Sequence, residues 1–205
     1  MQGESLAGVI ARILVDTQAL KFGEFTLSSG AKSSVYVDLR RVLGYPTAFR
    51  AIASLLTARA AVLTGSYGIE YIVGVATGGI PWATLVAHAL GLPLAYVRPE
   101  RKDHGLGRRV EGADARGRVL IVDDVATTGS SLISAAAAIR SIGGEPIAAL
   151  VVVERGQGAI DALRGMGIEL HYIVTLKELV DEALGLGVLD RSLYERVLRE
   201  LGGLS

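Results

Sequence analysis

Two adjacent carboxylates followed by a cluster of hydroxyl groups are the residues of this chain best suited to chemistry. Asp123 and Asp124 follow a run of apolar residues, and residues 127–131 read Thr-Thr-Gly-Ser-Ser. Hydroxyls and main-chain amides donate hydrogen bonds to anions, and Gly129 lets the main chain approach a ligand closely. The carboxylates would repel a phosphate but accept hydrogen bonds from vicinal hydroxyls. This pattern predicts a ligand that carries both a phosphate and a sugar.

The elements on either side of this loop strengthen the prediction. The apolar run Val119–Val122 predicts a buried strand, and the apolar pattern of residues 132–139 predicts a helix. The first N–H groups of a helix are free, and the positive end of its dipole attracts anions. Asp123 and Asp124 could then bind the 2- and 3-hydroxyls of a ribose, or a hydrated Mg²⁺. The plainer alternative is that the acids cap the helix and the loop is only a tight turn.

This loop differs from the nucleotide-triphosphate loop, because no Gly-x-x-x-x-Gly-Lys-Ser/Thr pattern is present. A second glycine-rich loop, residues 76–81, lies between a predicted strand and a predicted helix. Its main-chain amides could bind pyrophosphate, although the same sequence also suits a plain tight turn.

The most polar segment of the chain is Arg98–Gly112, which combines three glycines with dense mixed charge and shows no periodicity. Such a sequence predicts a mobile loop. Because the loop joins two predicted strands, its base should lie at the edge of the sheet that holds the phosphate site. We expect a lid that closes over an anionic substrate.

The rest of the chain predicts alternating helices and strands, which is typical of an α/β fold with a parallel sheet and right-handed crossovers. In such sheets ligands bind beyond the carboxyl ends of the strands, where all the motifs above fall. The predicted helices are 5–18, 47–62, 82–90, 132–139, 159–164, 176–183 and one from 190; the predicted strands are 21–30 and 35–39 as a hairpin, then 71–75, 92–97, 119–122, 147–153 and 168–174.

Composition limits the class of protein. The chain has 205 residues, half of them hydrophobic, which suffices for one domain with a full core. Lysine plus arginine and aspartate plus glutamate number 21 each, which argues against bulk nucleic-acid binding, and there is no cysteine. We read no signal peptide and no apolar run near the ~18 residues of a membrane span. A cytoplasmic protein without a membrane partner is expected.

Several separated segments resemble one family, the orotate phosphoribosyltransferases. Residues 22–30 resemble its amino-terminal hood, residues 98–105 its catalytic loop, and Asp123–Ser131 its motif for phosphoribosyl pyrophosphate (PRPP). The resemblance implies the type I phosphoribosyltransferase fold: a central, mostly parallel sheet flanked by helices, with a small amino-terminal hood. It implies a single domain over residues 1–205, with the hood built mainly from about residues 1–45 and carboxyl-terminal elements packing beside it.

The resemblance also implies a pentosyltransferase that makes orotidine 5-monophosphate and pyrophosphate from orotate and PRPP, in pyrimidine (UMP) biosynthesis. Lys102, His104 and Asp124 would be catalytic. Orotate would contact Tyr36, Val37, Thr127 and Arg155. PRPP would contact Thr77, Gly78, Arg98, Lys102, His104, Asp123, Asp124, Val125, Ala126, Thr127, Thr128, Gly129, Ser130 and Ser131.

By the same resemblance, the cofactor would be Mg²⁺ held mainly by PRPP, with no direct protein ligand and with water between the ion and Asp123 or Asp124. The protein would be a homodimer in which the Arg98–Gly112 loop serves the neighbouring active site. The chain departs from the family at Ser28, at Thr77-Gly78 and at Pro99, where basic or aromatic residues are common.

Two other functions remain open at this point. One is a phosphoribosyltransferase for another nucleobase, which the acceptor pocket would distinguish. The other is a PRPP-sensing regulator that has kept the fold and lost turnover. Such regulators usually carry an added DNA-binding segment, and none is visible in this sequence.

Overall fold

The structure is a computed structural model that describes residues 4–26, 32–99 and 109–202. Its contacts divide the chain into two compact units, the first with bounds 1–52, 155–157 and 174–205, the second with bounds 53–154 and 158–173. The prediction of a single domain with a hood stays a prediction. In chain order the elements are α1 (Leu6–Asp16), β1 (Leu20–Thr26), β2 (Lys32–Val37), a 3₁₀-helix (Leu39–Gly44), α2 (Pro46–Tyr67), β3 (Tyr71–Val75), α3 (Gly79–Leu90), β4 (Leu94–Val97), β5 (Val110–Gly112), β6 (Arg118–Ala126), α4 (Ser130–Ser141), β7 (Glu145–Glu154), α5 (Gln157–Arg164), β8 (Glu169–Thr175), α6 (Leu176–Gly185) and α7 (Arg191–Gly202).

The first unit contains the hairpin that the sequence predicts. Strands β1 and β2 pair antiparallel, with Leu20 opposite Val37 and Phe22 opposite Val35. Helix α1 is preceded by the N-cap Ser5, whose Oγ accepts a hydrogen bond of 2.9 Å from the N–H of Gly8. Helix α1 packs against α6, and α7 packs against both α6 and β2. The carboxyl-terminal helices therefore support the hairpin.

The second unit is built around a six-stranded sheet with strand order β5-β4-β3-β6-β7-β8. Strand β3 is parallel to β4 and β6, and β6 is parallel to β7. The predicted α/β fold with a mostly parallel sheet is thus confirmed. The carboxyl ends of β3, β4 and β6 lead directly into Ala76, Arg98 and the loop at Thr127, so the sheet brings these segments to one edge.

The core of the second unit explains why β6 is the central element. Its residues Val119–Val122 are completely buried, as expected of a strand covered by helices on both faces. Helix α3 packs on β3 and β6, while α4 packs on β6 and β7. Both helices begin at the same edge of the sheet, where the glycine-rich and hydroxyl-rich loops lie.

Two details differ from the sequence predictions. Residues 110–112 were expected in the loop but form β5, antiparallel to β4, with the buried Val110 opposite Val97. One apolar residue among charged neighbours gives no periodicity, so the sequence could not reveal this strand. Helix α2 has 22 residues and is, by length and composition alone, apolar enough to cross a membrane, which qualifies the expectation that no such segment exists.

Candidate active site

The acidic pair at the end of β6 lies where the sequence predicts. Asp123 is buried, with 5% of its surface exposed, and Asp124 is half-buried. Oδ1 of Asp123 accepts a hydrogen bond of 2.9 Å from the N–H of Asp124, and Oδ1 of Asp124 accepts one of 2.8 Å from the N–H of Val125. The hydroxyl of Ser131 donates to Oδ2 of Asp123 over 3.2 Å. These contacts fix both carboxylates without using them as caps for the first amides of α4.

The environment of Asp123 disfavours its ionised form. Burial raises the pKa of Asp123 well above its usual value, and the neighbouring charge of Asp124 raises it further. The hydrogen bonds from the N–H of Asp124 and the hydroxyl of Ser131 act in the opposite direction but are weaker. A ligand that brings hydroxyl donors or positive charge would favour ionisation, so the pair is suited to sugar hydroxyls and to a hydrated cation.

The hydroxyl-rich loop continues from the acidic pair to the start of α4. Gly129 has φ +76°, a conformation that favours glycine, and a Cβ at this position would meet the Cα of Ala159 at 3.3 Å. The hydroxyl of Thr128 lies 3.3 Å from that of Ser130, and both residues are exposed. Gly129 has no side chain to cap the helix, and the N–H of Ser130 makes only a long hydrogen bond of 3.4 Å to Oγ1 of the exposed Thr128. This helix start therefore suits an anion.

The glycine-rich loop after β3 lies directly against the acidic pair. A Cβ on Gly78 would stand 2.2 Å from Oδ2 of Asp124, and a Cβ on Gly79 would stand 2.5 Å from the carbonyl oxygen of Val122. The peptide bond between Ala76 and Thr77 is cis. A side chain at Gly79 would collide with the main chain, whereas one at Gly78 would displace the carboxylate of Asp124. The exposed Thr77 and the half-buried Gly78 come together with Asp124.

A cavity of about 260 Å³ adjoins these loops in the second unit. Its lining combines two guanidinium-bearing residues with three serines and the start of the glycine-rich loop: Ala76, Arg98, Arg109, Ser130, Ser131 and Ser134. The side chain of Arg98 is 38% exposed, and its Nη1 lies 3.9 Å from Oε1 of Glu111. The sequence analysis named Arg98, Ser130 and Ser131 as site residues but missed Arg109, which precedes β5, and Ser134, which lies in α4.

The residues expected to hold orotate in the first unit are half-buried. The ring of Tyr36 stacks on that of Phe25, with centroids 5.5 Å apart, and Val37 follows in the same strand. Nε of Arg155 is buried without a hydrogen-bond partner among the described residues. Burial lowers the pKa of Arg155, while the negative charge of Glu200 opposes this effect. An unpaired buried donor of this kind favours an anionic ligand.

Glu200 is a second residue that the sequence analysis missed. Its carboxylate accepts hydrogen bonds from the N–H of Ser34 (2.8 Å) and from the hydroxyl of Ser34 (2.6 Å). This contact joins α7 to β2 across 166 positions in sequence, so no local pattern could have predicted it.

The structure groups the predicted residues as follows. Within the second unit it brings together Thr77, Gly78, Arg98 and the segment 123–131; within the first it contains Tyr36, Val37 and Arg155. Ser28, Lys102 and His104 lie outside the described residues. In the described part of the chain no group of three or more His, Cys, Asp or Glu side chains could hold a metal ion. Two adjacent carboxylates, Asp123 and Asp124, suit a hydrated cation that they contact through water.

Comparisons with known proteins agree with this geometry. Residues 46–165 match the profile of the phosphoribosyl transferase domain family. The chain is 46% identical over 188 residues to an orotate phosphoribosyltransferase from Aeropyrum pernix, covering 91% of this chain and 99% of the relative. The crystal structure of the orotate phosphoribosyltransferase from Aeropyrum pernix superposes with a TM-score of 0.74 at 42% identity, covering 88% of this chain and 99% of that one. A Mycobacterium tuberculosis H37Rv orotate phosphoribosyltransferase in complex with PRPP gives a TM-score of 0.67 at 29% identity, covering 85% and 99%.

Proposed function

The chain belongs to the orotate phosphoribosyltransferase family, and we propose on that premise that the residues described above bind PRPP and orotate. Members of the family are pentosyltransferases of pyrimidine biosynthesis, and the chain transfers the 5-phosphoribosyl group of PRPP to orotate. The observation that carries the residue assignment is the junction of β6 and α4, where Asp123 and Asp124 stand beside the hydroxyls and helix-start amides of residues 127–131.

The ribose end of PRPP would lie at this junction. The 5-phosphate would accept hydrogen bonds from the hydroxyls and amides of residues 127–131, where the dipole of α4 is positive. The 2- and 3-hydroxyls of the ribose would donate to Asp123 and Asp124. The raised pKa of Asp123 supports this assignment, since donated hydrogen bonds would offset the cost of burying its charge.

The chemistry requires a stabilised leaving group and the exclusion of water. Orotate N1 attacks C1 of the ribose as the bond to pyrophosphate breaks, and by analogy with glycosyl transfer the transition state resembles an oxocarbenium ion. Charge develops on the departing pyrophosphate, for which Arg98 and the amide of Gly78 would donate hydrogen bonds. Mg²⁺ would neutralise further charge on PRPP when bound. Asp123 and Asp124 would contact that ion through water molecules.

The acceptor would be held by the first unit. Arg155 suits the orotate carboxylate because a guanidinium forms two parallel hydrogen bonds with such a group, and its buried Nε lacks another partner among the described residues. By the family resemblance, Tyr36 and Val37 would contact the pyrimidine ring, and Thr127 is assigned to orotate as well. A purine lacks the carboxylate that Arg155 would bind.

The catalytic loop and the quaternary structure complete the proposal. Lys102 and His104 would stabilise the leaving pyrophosphate, and the loop would act in the neighbouring site of a homodimer; these roles are supported by the resemblance of residues 98–105 to the family's loop. A cytoplasmic location is part of the same proposal, and cell fractionation would test it.

The test is an assay of PRPP-dependent orotate consumption with purified protein and Mg²⁺. We expect turnover with orotate, and little with adenine or guanine. A purine consumed as fast as orotate would overturn the acceptor assignment. In parallel, Asp124→Asn should weaken PRPP binding measured by calorimetry, whereas unchanged affinity would contradict the ribose-hydroxyl assignment.

A further inference from the structure

Arg109 makes an unusual set of contacts at the edge of the PRPP-side cavity. Its Nε and Nη2 each donate a hydrogen bond of 3.2 Å to the carbonyl oxygen of Arg98, and its Nη2 also donates to Oγ of Ser134 over 2.8 Å. In the main chain, the N–H of Arg98 donates to the carbonyl oxygen of Arg109 over 2.9 Å. One side chain thus connects the end of β4, the residue before β5 and the second turn of α4.

These contacts set the position of Arg98 relative to α4. Arg98 is held through its main chain on both sides, by its N–H and by its carbonyl group, while its own guanidinium remains 38% exposed at the cavity. Ser134 lies one turn after Ser130 and Ser131, which line the same cavity. Fixing Ser134 relative to Arg98 therefore fixes the distance between a guanidinium and the anion-binding start of a helix.

The charge of the cavity indicates the class of ligand. Arg98 and Arg109 line it together with serine hydroxyls, and the adjoining loop carries glycine at position 78. A side chain at position 78 would have to displace the carboxylate of Asp124, and the cations that line the cavity are Arg98 and Arg109, beside β4 and β5. Two guanidiniums and several hydroxyls suit a phosphoanhydride, which offers many acceptor oxygens.

We propose that Arg109 is a positioning residue for the pyrophosphate end of the substrate: it holds Arg98 and the start of α4 at the separation that a phosphoanhydride requires. The inference rests on the proposed function, because it assigns PRPP to this cavity. The competing explanation is that Arg109 only stabilises the pairing of β4 with β5. The two explanations differ in whether changing the side chain raises the KM for PRPP without raising the KM for orotate.

The experiment compares Arg109→Gln, Arg109→Lys and Ser134→Ala with the control Arg116→Gln. Arg116 is an exposed arginine near β5 that pairs with Asp114, so its loss removes a charge without touching the cavity. We expect Arg109→Gln to raise KM for PRPP about tenfold, consistent with the loss of charge-assisted hydrogen bonds, and to leave KM for orotate within about twofold. Arg109→Lys should recover part of the affinity, because an ammonium can replace some but not all of the three contacts.

Ser134→Ala keeps the charge of Arg109 and both of its hydrogen bonds to Arg98. It therefore tests the hydrogen bond between Arg109 and α4 by itself. A rise of about threefold in KM for PRPP is expected, with little further effect when it is combined with Arg109→Gln, because the two changes break the same contact. This variant also keeps the test informative if Arg109→Gln folds poorly. Thermal melting of each variant separates loss of fold from loss of substrate affinity.

Binding of inorganic pyrophosphate, measured by calorimetry on the wild type and on Arg109→Gln, tests the inference without turnover. Weaker pyrophosphate binding by the variant supports the positioning role. Equal rises in both KM values, or an unchanged KM for PRPP with a lowered melting temperature, would overturn it and leave a purely structural role. Absence of orotate turnover by the wild type would instead contradict the proposed function, so the two failures are distinguishable.

Discussion

Replacing Gly78 by alanine is the most direct test of how the glycine-rich loop and the acidic pair are related. The added Cβ would lie 2.2 Å from Oδ2, 2.6 Å from Cγ and 2.9 Å from Oδ1 of Asp124. No ordinary contact is that short, so the carboxylate has to retreat by roughly 1 Å or more. Asp124 would then lose its hydrogen bond of 2.8 Å from the N–H of Val125.

The magnitude follows from the contacts that Asp124 would lose. Overpacking of this kind costs about 1–3 kcal/mol of stability when neighbours can adjust. A hydrogen bond between a carboxylate and a sugar hydroxyl contributes about 1.5–3 kcal/mol, which corresponds to a loss of PRPP affinity on the order of 10- to 100-fold. Because Asp124 is half-buried and can rotate towards solvent, we expect Gly78→Ala to reduce PRPP affinity more than it reduces the stability of the fold.

The assay is calorimetric titration of PRPP with Mg²⁺, accompanied by thermal melting. Gly65→Ala is the matched control, because Gly65 lies in α2 and a Cβ there meets nothing within 4 Å. Alanine is also the better helix former by about 1 kcal/mol, so this control should bind PRPP normally and melt slightly higher.

A double-mutant cycle decides whether the effect passes through Asp124. In an Asp124→Ala background the carboxylate that collides with the new Cβ is gone, so Gly78→Ala should cost little additional PRPP affinity. If Gly78→Ala weakens PRPP binding equally in both backgrounds, the loop acts through its own amides and our steric reasoning is refuted. Wild-type affinity of the single variant would refute it as well.

Three further predictions concern charge. Burial raises the pKa of Asp123 above its ordinary 3.8, so the folded state binds more protons than the unfolded state. The free energy of unfolding should therefore fall as pH rises from about 4 through the raised pKa. Asp123→Asn should remove this contribution to the pH dependence of melting between pH 4 and 8, and it should weaken PRPP binding. Glu200→Gln can keep hydrogen bonds to β2 but removes a negative charge near Arg155, whose guanidinium stays protonated at neutral pH. Because that charge repels an anionic acceptor, orotate affinity should rise about two- to fivefold in titrations at constant PRPP affinity, with the exposed Glu195→Gln as control. Lys102→Ala should lower turnover about a hundredfold. Hybrid dimers of one Lys102→Ala subunit and one Asp124→Asn subunit should regain part of the activity if the loop acts in trans. Mixed dimers without recovery would contradict the trans assignment.

The sequence was most informative where the fold is set by local patterns. The buried strand, the acidic pair and the hydroxyl-rich helix start lie within fourteen consecutive residues, 118–131, so one segment contains the whole β6–α4 junction. The hairpin was predicted in the same way, from two short strands around a turn. These signals are strong because strand burial, helix start and ligand chemistry all require the same residue types.

The features that sequence analysis missed depend on contacts between distant elements. Strand β5 has three residues and is stable only as a partner of β4. The contact of Glu200 with Ser34, and that of Arg109 with Ser134, join residues whose types have many ordinary uses on a surface. Nothing in their neighbours marks them, since their partners are selected by the tertiary fold.

Gly78 shows how a departure from a family pattern can be explained only by structure. Judged from sequence, glycine at this position replaces a basic residue that is common in the family, and the loop amide could make the contact in its place. In the fold, the same position lies against Asp124, and any side chain there competes for space with a carboxylate proposed to bind the ribose. A basic side chain at position 78 would therefore have to displace the carboxylate of Asp124. Positive charge for the leaving group is then available beside β4 and β5, where Arg98 and Arg109 lie against each other, in addition to the charge of the proposed catalytic Lys102.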